Sequence, residues 1–199
     1  MRILVTGGTG FVGSHIILDL LLSGVTDELC VIDNLSNSYS DCLSAISAFT
    51  NKKLDFREVD LRNFESLNFV LSRFKPDVVI HCAGLKSVEE SSFNPIIYYD
   101  NNVVGSVNLL KSMDNIGCKN IIFSSSATVY GNPAYLPFDE NHETKPVNPY
   151  GVTKLIVEQI LKDWCRGEGK SSVSLRYFNP AGCHKSRIIS ERSKNKPNN

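Results

Sequence analysis

Short apolar runs alternate with longer amphipathic stretches along most of the chain. RILVT (2–6), LCVID (29–33), DFREVD (55–60), DVVIHCA (77–83), NIIFSSS (120–126) and SVSLRYF (172–178) have the length and polarity of strands. Between them helices are expected near 11–23, 41–49, 64–74, 96–116 and 149–165. Strand and helix in alternation predict the α/β class, with a Rossmann-type doubly wound parallel sheet covered on both faces. The 96–116 helix carries Ile97, Val103, Val107, Leu110 and Met113, and the 149–165 helix carries Leu155, Val157, Ile160 and Leu161. Either apolar stripe can rest on the sheet or be left for another subunit.

The pattern collapses after Cys183 into HKSRIISERSKNKPNN, whose large apolar residues are Ile188 and Ile189. Such a stretch buries too little surface to order itself, so 184–199 is expected to be a disordered polar tail behind a domain of residues 1–183. At 199 residues and 42% hydrophobic content, the chain can build one sizeable core. Its 21 basic and 21 acidic residues cancel, which removes the electrostatic case for nucleic acid or an anionic membrane and leaves small molecules as partners. The opening MRILVTGG reads as neither a signal peptide nor a membrane span, and the expected location is cytoplasmic. Cys30, Cys42, Cys82, Cys118, Cys165 and Cys183 are scattered without metal-ligand spacing, so no metal is expected and the thiols read as small hydrophobes in a reducing compartment.

VTGGTGFVGSH follows the first strand and opens the first helix, with Gly7, Gly10 and Gly13 at G-x-x-G-x-x-G spacing. Missing Cβ atoms permit a tight turn and a close approach of a pyrophosphate, which the free N–H groups of a helix N-terminus then face. Twenty residues past Gly13 stands Asp33, where a carboxylate can accept from adenosine ribose hydroxyls and would repel a 2′-phosphate, favouring NAD over NADP. Asp60, at the end of the third strand, suits either the adenine amino group or the cap of the next helix.

Tyr150 and Lys154 lie four residues apart at the start of a helix and so share one face. An ammonium and a cationic nicotinamide beside a phenol would both favour the phenolate, which makes Tyr150 a candidate base at neutral pH. Ser124, Ser125 and Ser126 end the fifth strand, and the bland role for such hydroxyls is to satisfy strand-end backbone groups.

TGGTGFVG, Tyr150-x-x-x-Lys154 and the serine run together resemble the extended short-chain dehydrogenase/reductase superfamily. Within it HCAGLKSVEES, YYDNNVVGSVNLL, IIFSSSATVYG and LRYFNPAG resemble the UDP-glucose 4-epimerases. The resemblance implies UDP-glucose and UDP-galactose as substrates and NAD as cofactor, with Tyr150, Lys154 and Ser126 catalytic. It places Lys86 and Asn101 against NAD, with Phe11, Val12, Asn34, Ser38, Leu61, Cys82 and Phe178 around it. Ser126, Tyr150 and Asn179 would meet the nucleotide sugar. Relatives that dehydrate or decarboxylate carry an acid just after the strand-end hydroxyl; Ala127 and Thr128 stand here, leaving reversible oxidation at C4.

The implied family continues past NPAG into a smaller substrate domain, and the resemblance is expected to break at His184. Two readings follow: part of a working 4-epimerase, or an NAD-binding fragment without turnover. A dehydrogenase that releases NADH is a third. The resemblance also implies a homodimer through the helices near 96–116 and 149–165.

Overall fold

The computed structural model describes residues 1–192 and residue 194. The first half contains β1 (Arg2–Thr6), α1 (Phe11–Ser23), β2 (Glu28–Asp33), α2 (Asp41–Thr50), β3 (Asp55–Glu58) and α3 (Phe64–Phe74). The second half begins with β4 (Val78–His81), α4 (Val88–Phe93), α5 (Pro95–Tyr98), a π-helical stretch (Tyr99–Val104) and α6 (Gly105–Ile116). It continues through β5 (Asn120–Ser126), a short 3-10 turn (Ala127–Val129), α7 (Pro149–Trp164) and β6 (Ser171–Tyr177).

All strand pairs are parallel, in the order β3-β2-β1-β4-β5-β6. The chain therefore winds outward from β1 through β2 and β3, then returns to the other side of β1 for β4, β5 and β6. That reversal opens a crevice at the carboxyl ends of the strands, because the loops after β1 and β4 diverge there.

Alternation along the strands divides the core between the two faces. Leu4, Cys30, Ile32, Val79, Ile121 and Phe123 meet α3, α6 and α7 through Leu67, Leu71, Leu109, Met113, Val157 and Leu161. Ile3, Val5, Leu29, Val31 and Ile80 meet α1 and α2 through Ile17, Leu18, Leu21, Leu43 and Ile46. Burial on both faces is why the inner strands read as nearly unbroken apolar runs. Helix ends follow the local chemistry: Asn148 accepts from the N–H of Gly151 ahead of Pro149, and α1 and α6 stop at Gly24 and Gly117 in the left-handed region. No helix among the described residues is long and apolar enough to cross a membrane.

Two expectations change. The single helix expected over 96–116 is α5, the π-helical stretch and α6 in succession, preceded by the separate α4. The wider turn carries Asn102 inward, where its amide donates to the Leu85 carbonyl (3.0 Å) and to Thr153 Oγ1 (3.1 Å), while its oxygen accepts from the Leu85 N–H (2.8 Å). Those bonds satisfy a loop that the helix's own apolar periodicity does not encode.

The stretch after Cys183 also differs from the disordered tail expected of it, as far as Arg192. Ile189 is 3% exposed and Ile188 packs beside it on the α1–α2 side of the sheet. The His184 N–H donates to His15 Nε2 (3.3 Å). Two isoleucines suffice because the receiving surface is already apolar, a fact absent from the segment's own composition. The remainder of that expectation, residues 193 and 195–199, lies outside the described residues.

Leu18 and Leu22 stand one turn apart on α1, fully buried and 49% exposed respectively. Leu18→Ala is expected to cost about 3 kcal/mol in urea unfolding, and Leu22→Ala to stay within about 0.5 kcal/mol. Equal losses would show that α1 does not bury the face described.

Candidate active site

A cleft of ≈ 320 Å³ occupies the crevice. Gly7, Gly10, Phe11, Val12 and Gly13 line it from the first loop and α1, and Asp33, Asn34, Ser38, Asp60 and Leu61 from the loops after β2 and β3. Cys82, Lys86 and Asn101 follow on the other side of β1. Ser126, Tyr150, Lys154, Phe178 and Asn179 complete the wall. Every residue singled out from the sequence thus faces one cavity, although the candidates span most of the chain.

At the first loop the glycines are required by packing. Gly7 has φ +68°, and a Cβ there would lie 2.5 Å from the Ala83 backbone nitrogen; one on Gly13 would strike the Gly7 carbonyl oxygen. The N-cap of α1 is Gly10, which has no side chain to bond the first amides, and the first turn holds no acid. An uncapped thirteen-residue helix aimed at the cleft fits an anionic diphosphate.

Asp33 closes this end. Its carboxylate accepts from the N–H groups of Thr9 (3.1 Å) and Leu35 (2.9 Å) and from Ser38 Oγ (3.4 Å). Thr9, which the sequence reading passed over, locks to Ser38 through their hydroxyls at 2.5 Å. Asp60 accepts from the backbone and guanidinium of Arg62 and from the Asn34 amide, partners that hold its carboxyl far below the usual range. The cap of α3 is Asn63, which accepts from the Ser66 N–H (3.1 Å), so the capping role considered for Asp60 belongs to Asn63.

The three serines diverge. Ser124 donates its hydroxyl to Cys82 Sγ (3.2 Å), and its carbonyl accepts from Lys154 Nζ (2.8 Å). Ser125 donates to Glu158 Oε1 (2.5 Å), which also takes Arg176 Nε (3.0 Å). Neither hydroxyl serves the backbone, the bland role considered for it. Ser126 accepts from the N–H and hydroxyl of Thr128 (3.2 and 3.0 Å) and stands near enough to Tyr150 to act on its phenol. Glu158 and Arg176 carried no local signal, since their pairing needs α7 beside β6.

Tyr150 is 9% exposed, and burial pushes its phenol up while the nearby Ser126 hydroxyl opposes the shift. Loss of solvation thus works against the phenolate that a neighbouring positive charge favours. Lys154 Nζ lies 5.9 Å from the Tyr150 ring centroid and 4.8 Å from that of Phe123. Burial lowers the lysine to about 8, against smaller opposing effects from Cys82 and Glu158. His81, between Thr6 Oγ1 (2.7 Å) and Ser106 Oγ (2.9 Å), is driven down to about 3 by burial and the nearby lysine. It is a neutral structural link between β1, β4 and α6. Among the described residues no three His, Cys, Asp or Glu side chains gather as a metal site.

A family model described as "NAD dependent epimerase/dehydratase family" matches residues 3–196. The match runs past His184, where the resemblance was expected to break. A UDP-glucose 4-epimerase of Dictyostelium discoideum is 44% identical over 199 residues, covering 100% of this chain and 57% of the relative. One of Bacillus subtilis is 47% identical over 200 residues, covering 100% and 58%. The crystal structure of the Bifidobacterium longum UDP-glucose 4-epimerase, in complex with NAD+ and UDP, superposes with a TM-score of 0.96 at 42% identity, over 100% of this chain and 59% of that one. The chain thus spans less than two thirds of each of these relatives.

The lysine gives a pH signature. With its folded value at about 8 and a free value of 10.5, Lys154 binds more protons unfolded across that interval, so its contribution to stability grows as pH rises through it. In paired urea titrations the stability of the parent relative to Lys154→Met is expected to climb between pH 8 and 10.5. A flat difference would mean that the ammonium is solvated.

Proposed function

The chain belongs to the NAD dependent epimerase/dehydratase family, and we propose that it carries the cofactor-binding and catalytic half of a UDP-glucose/UDP-galactose 4-epimerase. The observation that carries this reading is the convergence of Ser126, Tyr150 and a buried Lys154 on one cleft, with Ala127 and Thr128 after the serine in place of an acid. Elimination of water or carbon dioxide needs a further proton donor or acceptor at that point, whereas oxidation and re-reduction at one carbon does not.

The uncapped α1 terminus, the glycine contacts and the anchored Asp33 fit NAD, and the names of the relatives support it. NAD, when bound, supplies the reversible hydride acceptor. Tyr150 takes the proton of the sugar 4-hydroxyl and later returns it, with Ser126 bonded to the same hydroxyl. Because burial favours the neutral phenol, the tyrosine becomes a base only where positive charge offsets that penalty. Lys154 supplies part of that charge and holds the cofactor ribose. Asn179 reaches the nucleotide sugar at the mouth.

The chain spans 57–59% of the length of these relatives, and a second reading is that it binds NAD without turnover. Phe178 at the cleft and Val173 and Leu175 along β6 are exposed, apolar surface against which a substrate domain would rest. The homodimer through the helices near 96–116 and 149–165 belongs to the same proposal, and Ile96 and Ile97 are exposed apolar residues at the start of the first. A cytoplasmic location accords with six free thiols.

Purified 199-residue chain incubated with UDP-galactose and NAD separates the readings. UDP-glucose without accumulated NADH is the expected result. NADH release would identify a dehydrogenase, and NAD binding without either product would identify the non-catalytic form. In an active form, Tyr150→Phe is expected to lower turnover by about a thousandfold, the scale of a lost general base, with the fold unchanged by circular dichroism. A rate within tenfold of the parent would remove Tyr150 from that role.

A further inference from the structure

The segment from His184 runs along the α1–α2 side of the fold, and its end, at Glu191 and Arg192, reaches the cleft and is fastened on both sides of the fold's reversal point. On the β4 side, the Glu191 carboxylate accepts from Lys86 Nζ at 2.6 Å. On the β2 side, Arg192 pairs with Asp41 and lies 5.4 Å over the Tyr39 ring. Just beyond, Lys194 donates to the Leu35 carbonyl (2.6 Å) in the loop after β2. Ile189, almost fully buried, pins the middle of the segment to the α1–α2 side of the sheet. Glu191 and Arg192 themselves line the cleft.

The loops after β2 and β4 lie on opposite sides of β1, so a segment tied to both spans the crevice rather than bordering it. A dinucleotide at the ends of these strands lies beneath it. The fastenings differ in kind. The isoleucine is buried in the core, while the Lys86 and Glu191 side chains are 37% and 27% exposed and open to solvent ions. The buried middle behaves as an anchor and the exposed Lys86–Glu191 pair as a releasable catch.

We propose that residues 184–192 form a strap over the bound dinucleotide, with the Lys86–Glu191 ion pair as the catch that opens for cofactor entry and exit. Glu191 is on this view a positioning residue, acting through Lys86. The inference rests on the reading of the cleft as an NAD site. It also gives that reading a physical complement: a reaction that returns its hydride within each turnover has no use for cofactor release, and a strap retains the cofactor between turnovers.

The experiment uses the full chain and NADH fluorescence, with release followed by stopped-flow displacement into excess NAD. Glu191→Gln is expected to release NADH about threefold faster, the scale of one partly exposed ion pair. Added salt is expected to accelerate release from the parent more than from the variant. Ile189→Ala, which loosens the anchor, is expected to accelerate both entry and release while the body retains its circular dichroism. Amides of 188–192 are expected to exchange more slowly with NADH bound. Normal NADH binding with release unchanged or slower in both variants, or strap amides indifferent to NADH, would overturn the strap and leave the cofactor reading intact. Absence of NADH binding by the parent chain would overturn both.

Discussion

The site depends on one close approach of backbone to backbone. The loop after β1 runs so near β4 that a single carbon added to Gly7 would meet the Ala83 nitrogen, and Gly13 leaves the start of α1 no distance from that loop. This contact holds the uncapped end of a helix at the point where the sheet reverses direction. Remove it, and the amides no longer converge on the crevice; the carboxylate of Asp33, held by the Thr9 N–H of the same loop, loses its place as well. Oriented amides cost nothing to reorganise when a charged ligand arrives, which is why a fold concentrates them at such a point.

At the other end of the cleft, order comes from side chains crossing between elements. Lys154 of α7 reaches the Ser124 carbonyl, and Glu158, one turn on, ties α7 to Ser125 of β5 and Arg176 of β6. Three adjacent hydroxyls therefore have three partners, Cys82, Glu158 and Thr128, and Ser126 is the one that stands by Tyr150. The surroundings are poor in solvent: burial raises the phenol, lowers the lysine and keeps His81 neutral. In such a medium each added charge acts strongly, so the protonation of Tyr150 answers to what binds beside it.

The strands and most helices were legible because each buries a recognisable period of apolar residues. Where the reading departed from the fold, the deciding group lay elsewhere in the chain. The π-helical stretch exists around Asn102, whose partners are Leu85 and Thr153. The segment after Cys183 looked unable to order itself, yet Ile189 found an apolar surface built by α1 and α2. Asp60 could be read as a cap only until Asn63 was seen to hold that position.

By itself the sequence determined the class of fold, the glycine loop with its acid, and the Tyr150–Lys154 pair, because these depend on spacings within a single strand, turn or helix. Only the tertiary structure decided that the candidates share one cleft, that burial opposes ionisation of Tyr150, and that Glu191 meets Lys86 across 105 residues. The physical reason is one of range. Periodicity and turn chemistry act over a few residues, whereas desolvation and ion pairing depend on which elements pack together.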